Sequence, residues 1–205
     1  MTGPIQDWLA TEGRRCASTQ DFLHGVISRL YEQGLQILRS VINIRTLHPE
    51  VGAITYQWYN EDLHLDVPSH LILRREKFIF DQARIVMNIV RRQVFEIARE
   101  EGASYRNSPF YTVRFKGERV RTTIPAAEGA EIFPIYEDLA SIRATGYYAR
   151  ELIFTDGERN VVTIAPAQPD GFTDATIALL EELTDQIATY VEIHAQRLLM
   201  QTLLE

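Results

Sequence analysis

Apolar residues recur at three-and-four spacing in several stretches of this chain and alternate with polar residues in most of the rest. Ile5–Thr11, around Trp8 and Leu9, predicts a short helix broken by Gly13 and the Arg14–Arg15 pair. Phe22, Leu23, Val26, Ile27 and Leu30 then share one helical face, with Ser18 or Thr19 as cap and Gly34 as stop. Leu35–Leu47 and Ile54–Tyr59 predict two strands, the second carrying the aromatic and branched residues that strands favour. Thr46-Leu47-His48-Pro49-Glu50 then joins them as a hairpin. Arg74–Gly102 predicts a helix, because Phe78, Ile79, Val86, Ile89, Val90, Val94 and Ile97 form a broad apolar face with Arg91, Arg92 and Arg99 on the other side. Tyr111–Phe115 and Val120–Ile124 predict strands around Lys116-Gly117-Glu118. Phe133–Ala144 predicts a helix that ends at Gly146. Tyr147–Phe154 and Val161–Ala165 predict strands around Thr155-Asp156-Gly157.

The longest pattern comes last. Gly171 permits a turn, Thr173 can cap through its hydroxyl, and Asp174 complements the positive helix terminus. Ile177, Leu180, Thr184, Ile187, Val191, His194 and Leu198 then follow one seam, close to a coiled-coil stripe. A helix from Thr173 to the last residue measures roughly 50 Å at about 1.5 Å per residue, more than one small domain usually covers. The seam predicts pairing with a second copy. Residues 1–172 then form a sensor body and residues 173–205 a dimerising helix continuous with it.

Hairpin-linked strands imply an antiparallel sheet with helices on its faces, an α+β layout. The chain has 205 residues, enough for a sizeable core. Its net charge of −7 argues against nucleic acid as a partner, since phosphate binding needs a basic face. No run approaches the length of a membrane span, and no secretory signal pattern opens the chain. The single cysteine, Cys16, excludes an internal disulfide and fits the reducing cytoplasm.

Several segments, taken in order, resemble a known family. They are Trp8-Leu9, Arg45-Thr46-Leu47-His48-Pro49, Tyr56-Gln57-Trp58, Tyr105-Arg106-Asn107-Ser108-Pro109 with Val120-Arg121, Phe133-Pro134, Phe154-Thr155-Asp156-Gly157 and the helix start from Gly171 to Glu181. Together they resemble the N-terminal GAF-like regulatory domain that precedes the catalytic domain in some bacterial class III adenylate/guanylate cyclases. The resemblance implies a GAF-like fold and a small-molecule effector held between the sheet and its covering elements. It also implies a signal passed along the C-terminal helix to a cyclase-type output domain. Two departures stand out. Arg74–Gly102 is longer than that family usually carries at this point, a helical insertion. No segment resembles the cyclase domain with its paired metal-binding aspartates.

Candidate chemistry is sparse. Trp58, Tyr111, Tyr148 and Phe154 lie on predicted strands, and with Arg121 and Arg150 they form the expected ligand-binding set. Aromatic walls and a guanidinium suit a planar or anionic molecule. The same rings also fit an ordinary core. His48 reads as a turn residue and His194 as a core or interface histidine, with a pH-sensitive dimer as the sharper reading. His64 and His70 lack the neighbours of a zinc site. Arg14 and Arg15 favour a lowered thiol pKa at Cys16, but no resolving cysteine is present. Glu100–Glu101 and Glu181–Glu182 point apart on a helix. No nucleophile, phosphate-loop or dinucleotide motif occurs. The chain is therefore expected to be a non-catalytic regulatory domain with no metal and no assigned cofactor. A protein-interaction module and a small-molecule enzyme are the alternatives.

Overall fold

A computed structural model describes residues 4–45, 51–60, 90–96, 103–169 and 171–203. Its centre is a six-stranded sheet with strand order β3-β2-β1-β6-β5-β4. The strands are β1 Ile37–Arg45, β2 Val51–Tyr59, β3 Val90–Glu96, β4 Val120–Thr123, β5 Gly146–Ile153 and β6 Arg159–Pro166. All neighbouring pairs are antiparallel. In β1 every residue except Arg45 is buried, so both faces of the central strand are covered.

One face carries three helices: α1 Pro4–Ala10, α2 Thr19–Glu32 and α6 Asp174–Leu203. The Ser18 hydroxyl accepts from the Asp21 amide and caps α2. Phe22, Leu23, Val26, Ile27 and Leu30 then pack in one cluster with Ile42, Trp58, Tyr148 and Ile164 from the sheet and Leu180, Leu183 and Val191 from α6. Trp8 ties α1 to α2. Its ring stacks on Phe22 at 5.9 Å, lies 4.2 Å beneath the Arg29 guanidinium, and fills the space a side chain at Gly25 would need.

Two contacts fix the register of α6. At its start the Thr173 hydroxyl accepts from the Thr176 amide. There Arg121 also donates to Asp174 and to the Phe172 carbonyl, each at 2.8 Å. Further along, the buried Glu192 carboxylate accepts from the Thr155 amide at 2.9 Å and from the Thr155 hydroxyl. The helix thereby holds the β5–β6 turn, where Gly157 adopts a φ of 84°.

The opposite face is covered by α3 Ala103–Arg106, α4 Pro109–Tyr111, a π-type turn over Thr112–Lys116, and α5 Ile135–Ser141. Val113, Phe133, Tyr136, Leu139 and Ile142 pack there on Tyr59, Tyr147, Ala149, Val161 and Ala165.

Two expectations need correction. Within Arg74–Gly102, residues 90–96 form β3 and not helix; the remainder lies outside the described residues. Val90 pairs with Trp58 and Val94 with Ile54, so the open edge of β2 decides the conformation of a segment rich in branched side chains. Tyr111–Phe115 is helical, not a strand. Ser108 caps it at the Tyr111 amide, Pro109 occupies the first turn, and Gly117 closes the following turn with a φ of 69°. The Lys116-Gly117-Glu118 segment is therefore a helix stop and not a hairpin. The hairpin residues 46–50, with His48, and the histidines His64 and His70 lie outside the described residues, as do Glu100 and Glu101.

Candidate functional site

The face away from α2 and α6 is buried like its counterpart, yet on β1 and β2 it carries several polar side chains among its apolar ones. Alternation along β1 sends Ile42 and Ile44 toward the helices, so Arg39, Val41 and Asn43 project to the other side. Thr55, Gln57 and Tyr59 lie beside them on β2, in the pairs Arg39–Tyr59, Val41–Gln57 and Asn43–Thr55. Thr163 and Ala165 flank the other edge of β1. Burying polar groups costs free energy unless each finds a partner.

At one end stands Arg39, only 9 % exposed. Its Nε donates to the Tyr59 hydroxyl at 3.1 Å, and its guanidinium carbon lies 5.7 Å from the Tyr59 ring centroid. The Gln57 amide oxygen, in the orientation the donors around it require, accepts from Arg39 Nε and Nη2 at 2.8 Å each and from the Tyr59 hydroxyl at 2.7 Å. Among the described residues no carboxylate pairs with this guanidinium. Tyr147 lies in the field of the same charge. Burial pushes its phenol well above the ordinary range, while Arg39 and a hydrogen bond with Thr163 pull the other way. Tyr136, tilted on Tyr147 at 5.6 Å, is pushed up to about 12, chiefly by burial and further by Glu131.

At the other end the π-type turn delivers Arg114, also buried. Its Nη2 donates to Asn43 Oδ1 at 2.5 Å, its Nη1 to the Tyr105 hydroxyl at 2.7 Å and its Nε to the Arg159 carbonyl at 3.0 Å. Asn43 in turn donates to Thr55 Oγ1 at 2.7 Å. Tyr105, Tyr111 and Phe115 form a ring cluster beside it, with Tyr111 and Phe115 4.8 Å apart. Arg114 bolts the covering turn to the sheet. Among the described residues Arg39 is held by the neutral side chains of Gln57 and Tyr59.

The expected ligand set does not converge on this face. Trp58, Tyr148 and Phe154 are part of the helix-side core. Arg150 reaches the Glu181 carbonyl of α6 at 3.4 Å, and Arg121 secures the α6 start. Tyr111 alone sits on the opposite side, on α4. The gap between α2, α6 and the sheet, bordered by Tyr148 and Thr184, holds about 20 Å³, room for little more than one water. The polar face is hard to see in the sequence because the run Ile37–Ile44 looks apolar overall. Its signal was the alternation Arg39-x-Val41-x-Asn43, echoed by Thr55-x-Gln57-x-Tyr59.

The dimer seam also needs correction. Ile177, Leu180, Thr184, Ile187, Val191 and His194 are all buried within this chain, none more than 9 % exposed. The stripe is occupied by the chain's own α2 and sheet; the Leu198 side chain lies outside the described residues. Burial first, then Arg197, holds the His194 imidazole below its ordinary value, against Asp21. Cys16 is half-buried, and burial followed by Asp21 raises its thiol pKa, opposite to the expectation from Arg14 and Arg15. Among the described residues no acidic, histidine or cysteine cluster could hold a metal ion, and no helix is long and apolar enough to cross a membrane.

Comparison with solved structures gives the class of fold. The chain is similar to the phycocyanobilin-bound GAF domain from a cyanobacterial phytochrome, at 9 % identity and a TM-score of 0.53, covering 96 % of this chain and 98 % of that one. It is similar also to the GAF domain of a phosphoenolpyruvate-protein phosphotransferase from Coxiella burnetii, at 15 % identity and a TM-score of 0.51, covering 94 % and 93 %. No family model and no curated protein matches the sequence. The fold is GAF-like: an antiparallel sheet, helices on its faces and one long C-terminal helix.

Proposed function

We propose that this chain is a non-catalytic sensor domain. A small molecule received on the polar face of the sheet shifts the packing of α6, and α6 carries the change to an output domain. The observation behind this reading is the buried Arg39 on the sheet face opposite α6, with no carboxylate partner among the described residues. A fold does not define a function, but the site lies in a GAF-like fold, and one solved neighbour carries phycocyanobilin. The path is short. Arg39 and Val41 face the site, while Ser40 and Ile42, between and beside them, border the gap lined also by Leu180 and Thr184 of α6.

The proposal of a cyclase-type output rests on the resemblance of the ordered segments named above. The proposal of a homodimer rests on the outer side of α6. Ile193 and Met200 lie one heptad apart and are 37 % and 63 % exposed, so the distal half of the helix supplies the seam and not the buried stripe. Light scattering at high micromolar concentration should give twice the mass of one chain; a monomer removes the dimer from the proposal. A thermal-shift screen of nucleotides, cyclic nucleotides and small organic acids should yield a stabilising effector. Hydrogen exchange with that effector bound should change protection along α6. An effector that leaves α6 unchanged contradicts the sensor reading.

A further inference from the structure

We infer that Arg39 is the anchor of an anion site, which takes the carboxylate or phosphate of a small organic molecule. This deepens the sensor reading by naming the chemistry of its input. A buried guanidinium normally meets a carboxylate, because an uncompensated charge in a low-dielectric interior is costly. Here the neighbour that could have supplied one is Gln57, an amide of the same shape. Gln57 and Tyr59 orient the fork through Nε and Nη2 and leave its charge intact. Nη1 has no hydrogen bond to any described residue. A planar fork with one free edge matches a carboxylate or phosphate in two-point geometry. The one carboxylate that β5 places on this face, Glu151, lies at the Asn43 end, through the pairs Glu151–Val161 and Val161–Asn43, and not beside Arg39. The Tyr59 ring, 5.7 Å from the guanidinium carbon, borders the site and suits an aromatic or otherwise flat body on the anion.

The test is a titration followed on the arginine Nε–Hε resonances of the whole chain, with the Arg39 signal assigned by its loss in Arg39→Lys. Benzoate probes the carboxylate source, phenyl phosphate the phosphate source, and benzamide is the neutral match to benzoate. The Arg39 signal should shift saturably with benzoate, with phenyl phosphate or with both, and not with benzamide. The tighter of the two identifies the source. Gln57→Glu compensates the guanidinium charge from the side that Gln57 already holds. It should weaken anion binding at least tenfold and raise Tm by about 2–4 °C. No saturable shift with either anion overturns the inference, as does binding that survives Gln57→Glu unchanged. Hydrogen exchange over α6 in the same samples separates the two readings. Anion bound with α6 unchanged keeps this site and removes the sensor role; no anion bound removes this site and leaves the sensor role to another ligand.

Discussion

Both faces of the sheet are buried, and they differ in what β1 and β2 place on them. Toward α2 and α6 the strands present Ile42, Ile44, Tyr56, Trp58 and Ile164. Away from them the strands present Arg39, Asn43, Thr55, Gln57 and Thr163 beside Val41, Tyr147, Ala149, Val161 and Ala165. The apolar face stabilises the fold through area removed from water. The polar face contributes little net stability, since each hydrogen bond there replaces one to water. A buried polar network of this kind, adding little net stability, is the ground for assigning the face to a ligand.

The largest effect expected from this contrast is at Leu183, fully buried between α6 and the sheet. Leu183→Ala should cost about 2–5 kcal/mol in urea unfolding. The loss should not depend on protein concentration if this side of α6 belongs to the chain's own core. Next comes Gly25. Alanine in an open helix gains about 1 kcal/mol over glycine, but a Cβ here would stand 2.4 Å from the Trp8 ring. Gly25→Ala should therefore lose about 1–3 kcal/mol, measured in the same way. A gain would mean that Trp8 moves freely and that α1 is not part of this face.

Glu192→Gln should cost about 1 kcal/mol, because it exchanges charge-assisted bonds to Thr155 for neutral ones. Faster amide exchange at Thr155 would report it. The smallest effect belongs to His194. Its folded pKa lies below the ordinary 6.5, so the unfolded chain takes up the proton first as pH falls. Stability is retained above that value and declines as pH drops from it toward the folded value. The urea midpoint should fall between pH 7.5 and 5.5, by less in His194→Gln.

The helix-side face was legible in the sequence because periodicity reports apolar faces. The pattern of Phe22, Val26 and Leu30 predicts α2, and the pattern of Ile177, Leu180 and Val191 predicts α6. What periodicity does not contain is the partner. The α6 stripe reads the same whether a second copy or the chain's own α2 covers it. The segment Val90–Glu96 is decided by the open edge of β2, a contact distant in sequence. Tyr111–Phe115 follows from the Ser108-Pro109 cap, a local signal outweighed by its aromatic and branched residues. The polar face was the least legible, because a buried arginine and glutamine look like surface residues until the sheet places them together.

The most direct measurement is the stability of an apolar replacement of that face. Arg39→Met combined with Gln57→Leu removes the charge and its acceptor together. If the network exists for binding and not for folding, the double variant should unfold within about 1 kcal/mol of the original chain or at higher denaturant. A loss of several kcal/mol would show that Arg39 and Gln57 hold the sheet together, and would contradict the assignment of this face to a ligand.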